Sequence, residues 1–339
     1  MRRYANDENS LVRKIQASLG LERRDASSSL RLGIGDDAAL WRPSPGREVV
    51  LTCDWFLEGV HFRRDAHPAD SVGWKCLARA VSDIAAMGGT PRCFLLSLAL
   101  PESHIARWMD DLLSGLRRAS REFRCPPAGG DTTRSNGILI SITAVGEVES
   151  RNAALRSGAR PGDLIGVSGR LGEAQLGLEL LLLDKSAART KCRAMEKHLY
   201  PFPRVEIARR LAAQELVTSM MDVSDGLAMD LRRLCAASGV GATIDEESLP
   251  LASPTNHPNV SRQKRLDAAL HGGDDYELLF TVSRNERKSL PRRVAGVPLT
   301  IIGEIQAGRG IFLLGRNGRR APLETSGWDP FQINTRNKS

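Results

Sequence analysis

The stretch Gly33-Ile34-Gly35-Asp36-Asp37-Ala38-Ala39 sets two adjacent carboxylates directly behind two glycines and ahead of the apolar run Ala38-Ala39-Leu40-Trp41. Glycine lets the backbone turn tightly and lets a ligand approach the main chain. Neighbouring carboxylates repel: at about 4 Å and an effective dielectric of about 20 the cost is on the order of 4 kcal/mol. Four segments of the same kind lie downstream: Thr52-Cys53-Asp54, Ser82-Asp83, Gly129-Gly130-Asp131 and Asp222-Val223-Ser224-Asp225-Gly226. Singly, each reads as an ordinary Gly/Asp turn. Five in one chain ask for a shared solution, and convergence on Mg²⁺, which takes oxygen ligands and is commonly shared with substrate phosphates, supplies one.

A chain of 339 residues exceeds a typical single core, so two domains are expected. The net charge of +8 comes from scattered pairs such as Arg117-Arg118, Arg209-Arg210, Arg232-Arg233 and Arg319-Arg320. Without a basic block or interleaved aromatics this argues against a nucleic-acid partner, while a positive surface helps to attract phosphates. Cys53, Cys76, Cys93, Cys125, Cys192 and Cys235 form no C-x-x-C pair and no zinc spacing, and most of them read as reduced core residues. No apolar run approaches the roughly 20 residues that span a membrane, and no hydrophobic segment follows the charged start Met1 to Glu8. The expectation is a cytoplasmic protein with no membrane partner.

Helical spacing of Leu11, Ile15 and Leu19 predicts a helix over 8–20, and the run Glu48 to Cys53 predicts a strand that delivers Asp54 at its end. A helix over 69–87 opens after Pro68 and stops at Gly88-Gly89. Its row Val72, Cys76, Ala80, Asp83, Met87 is apolar but for Asp83. A carboxylate on a buried face needs a cation or several donors, so Asp83 calls for either a metal or a core arginine. A strand from Cys93, an amphipathic helix from Ile105 to Phe123 and a strand from Ile138 frame Pro126 to Arg134, whose glycines read as a phosphate-facing turn with Asp131 beside it for a metal. The expected domains are 1–150, an N-terminal ATP/Mg-binding and dimerisation domain, and 151–334, a C-terminal α/β domain, with 335–339 as a disordered tail. The second half reads as a strand at Leu164, helices over 173–183, after Pro203 and over 227–237, a Gly-Gly turn feeding a strand at 277–280, and a hairpin at Asn317-Gly318.

No G-x-x-x-x-G-K-[ST] and no protein-kinase signature set occurs, and no Ser-His-Asp or Cys-His arrangement can be drawn. What remains suits Mg²⁺-dependent phosphate handling, where catalysis rests on positioning and charge neutralisation.

The ordered series GIGDDAA, T-x-D followed by EGVHF, SDIAAMGG-x-P, GGDTTRS, RSGA-x-PGD, VSDGL-x-x-DL and GGDDYELLF resembles the thiamine-monophosphate kinases, within the wider group of ATP-binding enzymes similar to aminoimidazole ribonucleotide synthetase. The resemblance runs from about residue 30 to 331. It implies an α/β (α+β) two-domain fold whose N-terminal sheet pairs across a homodimer. It also implies direct, Mg-assisted transfer of the ATP γ-phosphate to thiamine monophosphate, giving thiamine diphosphate and ADP, with several Mg²⁺ ions and ATP as co-substrate. Carried onto this chain, the resemblance makes Asp36, Thr52, Cys53, Asp54, Asp83, Asp131, Asp222 and Asp225 metal residues. It gives Gly130, Asp131, Arg156 and Ser224 to ATP, and His61, Asp274 and Trp328 to thiamine monophosphate. Three positions depart from the family pattern. Cys53 stands where Thr or Ser is usual, so it can meet a hard cation only through its backbone carbonyl. Ala80 stands for the usual Asn, and Asp274 for the usual Glu. Two other readings compete: another ATP-dependent synthetase of the same superfamily, and a non-catalytic nucleotide-binding relative.

Overall fold

The computed structural model describes residues 8–19, 29–34, 38–101, 106–183, 193–324 and 326–327. Asp36, Trp328, Cys192 and the tail 335–339 lie outside the described residues. The first half contains α1 (Glu8–Leu19), β1 (Leu30–Leu32), β2 (Leu40–Trp41), β3 (Arg47–Leu57), α2 (Ala69–Ala86), β4 (Thr90–Leu100), α3 (Ala106–Glu122), β5 (Pro127–Arg134) and β6 (Leu139–Glu149). Then follow β7 (Leu164–Ser168), α4 (Glu173–Leu183), α5 (Arg193–Leu199), α6 (Val205–Ala213), β8 (Val217–Val223), α7 (Leu227–Ser238), β9 (Gly241–Asp245), α8 (Arg262–His271), β10 (Glu277–Val282), β11 (Arg293–Val294), β12 (Val297–Gln306), β13 (Ile311–Leu314) and β14 (Arg320–Pro322).

Two sheets organise these elements. The first, ordered β3-β6-β4-β5, is antiparallel except for the parallel β4–β5 pair. The second has eight strands along the path β14-β13-β9-β12-β7-β10-β8, with β11 paired to β12. Its strands β7, β8 and β10 are almost wholly buried, as strands covered on both faces are. One core lies between the first sheet and α2 and α3, and two further clusters cover the faces of the second sheet. Helices α2 and α3 approach unusually closely. A Cβ on Gly73 would sit 2.0 Å from the Leu112 carbonyl oxygen, and one on Gly115 would sit 1.8 Å from that of Asp70. Helix α2 also reaches the second half, where Trp74 Nε1 donates to the Pro201 carbonyl at 2.7 Å. Among the described residues no helix is long and apolar enough to cross a membrane.

Most elements fall where the periodicity of the sequence predicts them, but two expectations are corrected. Strand β3 runs on to Leu57, so Asp54 lies inside it and not at its end. The Gly129-Gly130-Asp131 segment is not a turn: it is part of β5, paired in register with β4. Gly130 is required there by packing, since a Cβ would fall 1.8 Å from the Leu96 carbonyl oxygen. Cys53 is exposed, while Cys76, Cys93, Cys125 and Cys235 are buried.

Candidate active site

A cleft of about 540 Å³ opens between the two sheets and gathers groups far apart in the chain. Asp54 comes from the inner face of β3, His61 and Val60 from the turn after it, and Arg79 and Asp83 from α2. Asp222 stands near the end of β8, with Ser224 and Asp225 in the turn before α7 and Asp274 and Tyr276 in the segment before β10. The far wall is built by Gln175, Leu178 and Glu179 of α4 with Lys264, Asp267 and Ala268 of α8, and Gly327 closes one rim.

The carboxylates on this surface are unequally partnered. Thr52 Oγ1 donates to Asp83 Oδ2 at 2.5 Å, and Ser82 Oγ donates to Asp222 Oδ2 at 2.7 Å. Asp54 Oδ2 is buried with no hydrogen-bond partner among the described residues. Burial and the neighbouring Asp83 charge push the Asp54 acid up to about 6. The same two causes push Asp222 up to about 8. These are the shifts expected of like charges held together in a low dielectric.

The turn carrying Ser224 and Asp225 is fixed from below. Buried Asp230 accepts the backbone N–H groups of both residues at 3.0 Å, and Arg233 bridges Asp225 and Asp230 at 2.5 and 2.7 Å. The opposite segment is tied to this turn by Asp274 N–H on the Ser224 carbonyl at 2.7 Å and Tyr276 N–H on that of Val223 at 2.9 Å. Asp274 and Tyr276 both adopt positive φ, 69° and 49°. Non-glycine residues keep that conformation only where surroundings enforce it, and such sites cluster at functional positions.

Asp274 is tightly engaged. Lys75 Nζ, fully buried on α2, contacts its Oδ2 at 2.8 Å, and the Tyr276 hydroxyl donates to its Oδ1 at 2.7 Å. Burial alone would raise this acid, but the charge of Lys75 outweighs it and holds the carboxyl well below its ordinary range. Lys75 also lies 3.3 Å from His198 Nδ1, whose Nε2 meets His67 Nε2 at 3.1 Å. On the other wall, Leu57 N–H donates to His61 Nδ1 at 3.1 Å, which leaves the proton of the neutral ring on Nε2. Burial, then the Arg79 charge, push His61 down to about 4, so the ring is neutral at physiological pH.

The expected site residues therefore divide. Asp54, Asp83, Asp222, Ser224, Asp225, His61 and Asp274 share the cleft, with Thr52 bonded to one of them. Cys53, Gly130 and Asp131 do not line it. Cys53 turns to the opposite face of the sheet, towards Ser141 Oγ at 3.4 Å and Thr143 Oγ1 at 3.5 Å. Asp131 shares that face, since it pairs in register with Ser97, which pairs with Ser141, which pairs with Trp55. Three strand spacings of about 4.8 Å separate it from β3. Arg156 is exposed on the loop beside β8 and does not line the cleft either. Conversely, Lys75 and Arg79 belong to the site without being singled out from sequence, and Ser82, quoted only beside Asp83, holds Asp222. Their signal is the polar stripe Lys75, Arg79, Ser82, Asp83 at helical spacing on an otherwise apolar helix.

Comparison with known proteins agrees with this architecture. The AIR synthase related protein N-terminal domain matches residues 35–148, and the corresponding C-terminal domain matches 160–315. The thiamine-monophosphate kinase of Bacillus subtilis is 34% identical over 314 residues, covering 90% of this chain and 95% of that protein. The chain belongs to the thiamine-monophosphate kinase family. The crystal structure of the Stenotrophomonas maltophilia thiamine-monophosphate kinase aligns with a TM-score of 0.78 at 37% identity, over 92% of this chain and 96% of its own. AaThiL complexed with AMPPCP and TMP aligns with a TM-score of 0.74 at 33% identity, over 97% and 98%.

Proposed function

We propose that this chain transfers the γ-phosphoryl group of ATP to thiamine monophosphate, giving thiamine diphosphate and ADP in thiamine diphosphate biosynthesis. The observation that carries the reading is the alignment, over nearly the whole of both chains, with a structure holding AMPPCP and TMP together, on a fold that turns Asp54, Asp83, Asp222 and Asp225 into one cleft. A phosphoryl transfer needs two anionic substrates held in line, and a cleft between two rigid sheets meets that need.

Mg²⁺ suits this surface. Its donor set is oxygen throughout, Asp54 Oδ2 has no partner among the described residues, and burial beside Asp83 pushes Asp54 and Asp222 towards protonation, which a bound cation would oppose. Among the described residues no group of three or more acidic, histidine or cysteine side chains forms a ready-made metal site. That is compatible with Mg²⁺, which is held by one or two carboxylates together with substrate phosphates and water. Asp54, Asp83 and Asp222 would hold it, with Asp225 as a further ligand. The chemistry such ions supply is neutralisation of charge on the transferring phosphate. His61 offers a neutral Nε2–H donor to the acceptor substrate, and Ser224 presents its hydroxyl beside the nucleotide. Asp274 acts through Lys75 and Tyr276, which engage both its oxygens.

The outer face of the first sheet supports a homodimer. Leu51 is 68% exposed and Trp55 55%, with Val49 and Leu95 beside them. An apolar patch of this kind marks an interaction surface, and a second copy of the same face would cover it. Cys53 and Asp131, which share that face, would then lie in the interface, and any part they take in nucleotide or metal binding would be played across it. The deciding experiment is an ADP-release assay with Mg-ATP, comparing thiamine monophosphate, thiamine and buffer. Release stimulated by thiamine monophosphate, with thiamine diphosphate as product, is the expected result. Stimulation by thiamine alone, or by neither, would overturn the reading.

A further inference from the structure

Arg79 projects from α2 into the cleft one helical turn from both Lys75 and Asp83, and its side chain is only 18% exposed. A guanidinium carries five N–H donors in a rigid planar fork, and donors withdrawn from water almost always find acceptors. Those of Arg79 are poorly matched. The Asp54 carboxylate approaches Nη2 no closer than 3.6 Å, well beyond the roughly 2.7–2.9 Å of a charged hydrogen bond. Its Nε is buried with no partner among the described residues. The guanidinium lies over the Phe56 ring, 5.3 Å from the centroid, which restrains its plane.

Neighbouring cations differ. Lys75 is locked to Asp274 and Arg233 to Asp225 and Asp230, while Lys264 on the far wall pairs with Glu179 at 2.6 Å. The wall around Arg79 is otherwise acidic, with Asp54, Asp225 and Asp274 acting on its charge. A fork restrained over an aromatic ring, lining the cleft and left with an unused Nε donor, matches an anion that presents two oxygens at once, as a phosphate does.

We infer that Arg79 is a phosphate-binding residue of this cleft, taking two oxygens of a substrate phosphate through its guanidinium fork. The assignment of that phosphate rests on the kinase reading above. It belongs either to thiamine monophosphate or to the end of the nucleotide, and binding measurements separate the two.

The test is calorimetric titration of the full-length protein, in Mg²⁺ buffer, with thiamine monophosphate, thiamine and AMPPCP. Parent, Arg79→Ala and Arg79→Lys are compared. Loss of a charged, two-point contact weakens binding by about 10- to 100-fold. Arg79→Ala is expected to lose that much for one phosphate ligand and nothing for thiamine, which has no phosphate. A loss confined to thiamine monophosphate assigns the acceptor phosphate, and one confined to AMPPCP assigns the nucleotide. Lysine keeps charge and stem but lacks the fork, so Arg79→Lys should recover only part of the loss. Unchanged affinity of Arg79→Ala for both phosphate ligands overturns the inference and leaves Arg79 as a counter-ion of Asp54. Should Arg79→Ala not fold, parental affinity of Arg79→Lys for both ligands overturns it equally. A parent that binds AMPPCP but not thiamine monophosphate would instead defeat the substrate reading, with Arg79 still tested on the nucleotide.

Discussion

The two faces of the first sheet break the ordinary rule in opposite directions. A sheet with one covered face normally points apolar residues inward and polar ones outward. Along β3 the pattern is reversed: Thr52 and Asp54 point inward against α2, while Leu51, Cys53 and Trp55 point outward and are exposed. The inner face thus sets Asp54 against Asp83 and Asp222, which repel it, and the outer face displays apolar surface that no other described residue is seen to cover. Departures from local consistency mark functional places. Each face is incomplete in its own way, one for want of positive charge and the other for want of a surface.

The largest effect should come from disturbing the inner face. Asp83→Asn keeps the shape of the side chain and the acceptor for Thr52 Oγ1 but removes one charge from the Asp54, Asp83, Asp222 group. Removing one electrostatic element from a preorganised site costs about 10²–10³-fold in turnover. We expect kcat to fall by that factor while the melting temperature holds or rises, because repulsion is relieved. An Asp83→Asn protein within threefold of the parent in ADP release would make the inner face a mere charge patch. The outer face is tested by Leu51→Asp, alone or with Trp55→Ser. Substitutions at a solvent face stay within about 0.5 kcal/mol. At a shared surface they should instead turn a two-chain species into a one-chain species in sedimentation, with the far-ultraviolet circular dichroism unchanged. A parent protein that sediments as one chain at micromolar concentration would deny the outer face this purpose.

Legibility in the sequence follows the same division. Helices α2, α4 and α7 were readable because their apolar period and flanking Pro or Gly act locally, as Pro68 and Gly239 do. The acidic segments Asp54, Asp83, Asp222 and Asp225 were readable as a group through their glycine- and serine-flanked spacing, and they meet in the cleft. Which side of a strand a residue occupies was harder to read. The glycines at 129 and 130 carry no side chain to report a face, and they resemble a turn until the β4 register is known. Lys75 and Arg79 were overlooked because an isolated cation on a long helix usually points to solvent; only the packing of α2 between the two halves turns them inward. Asp230 escaped for a similar reason, since its task is to hold the backbone of a turn several residues earlier.

A smaller effect should appear in the pH dependence of stability. Asp222 has an ordinary value of 3.8, raised in the fold to about 8 by burial and by Asp83. The folded state therefore favours the protonated acid. Its contribution to stability is complete below about pH 4 and is lost as pH climbs towards 8. Asn mimics the protonated form at every pH. In Mg²⁺-free buffer, Asp222→Asn should melt with the parent near pH 4 and progressively above it between pH 5 and 8. Added Mg²⁺ should narrow the gap by favouring the parent's charged carboxylate. A gap that stays flat with pH would show that Asp222 is not held protonated by its acidic neighbours.

Cys53 should give the smallest effect, and it separates the faces most sharply because its neighbours on either side point the other way. Thr52 and Asp54 join the acidic group, whereas the Cys53 sulfur faces Ser141 and Thr143 on the outer side. A thiol is also a poor partner for a hard cation. Any service Cys53 gives to a metal must then pass through its main chain, which Cys53→Ser leaves intact. We expect this variant to stay within about twofold of the parent in kcat and in its Mg²⁺ requirement, since a surface exchange of similar size changes stability by less than about 0.5 kcal/mol. Thr52→Val, one residue away and also close in size, removes the hydroxyl that steadies Asp83 and should lower kcat several-fold. If the order were reversed, with Cys53→Ser the more damaging, the outer face would have to carry chemistry as well as contact.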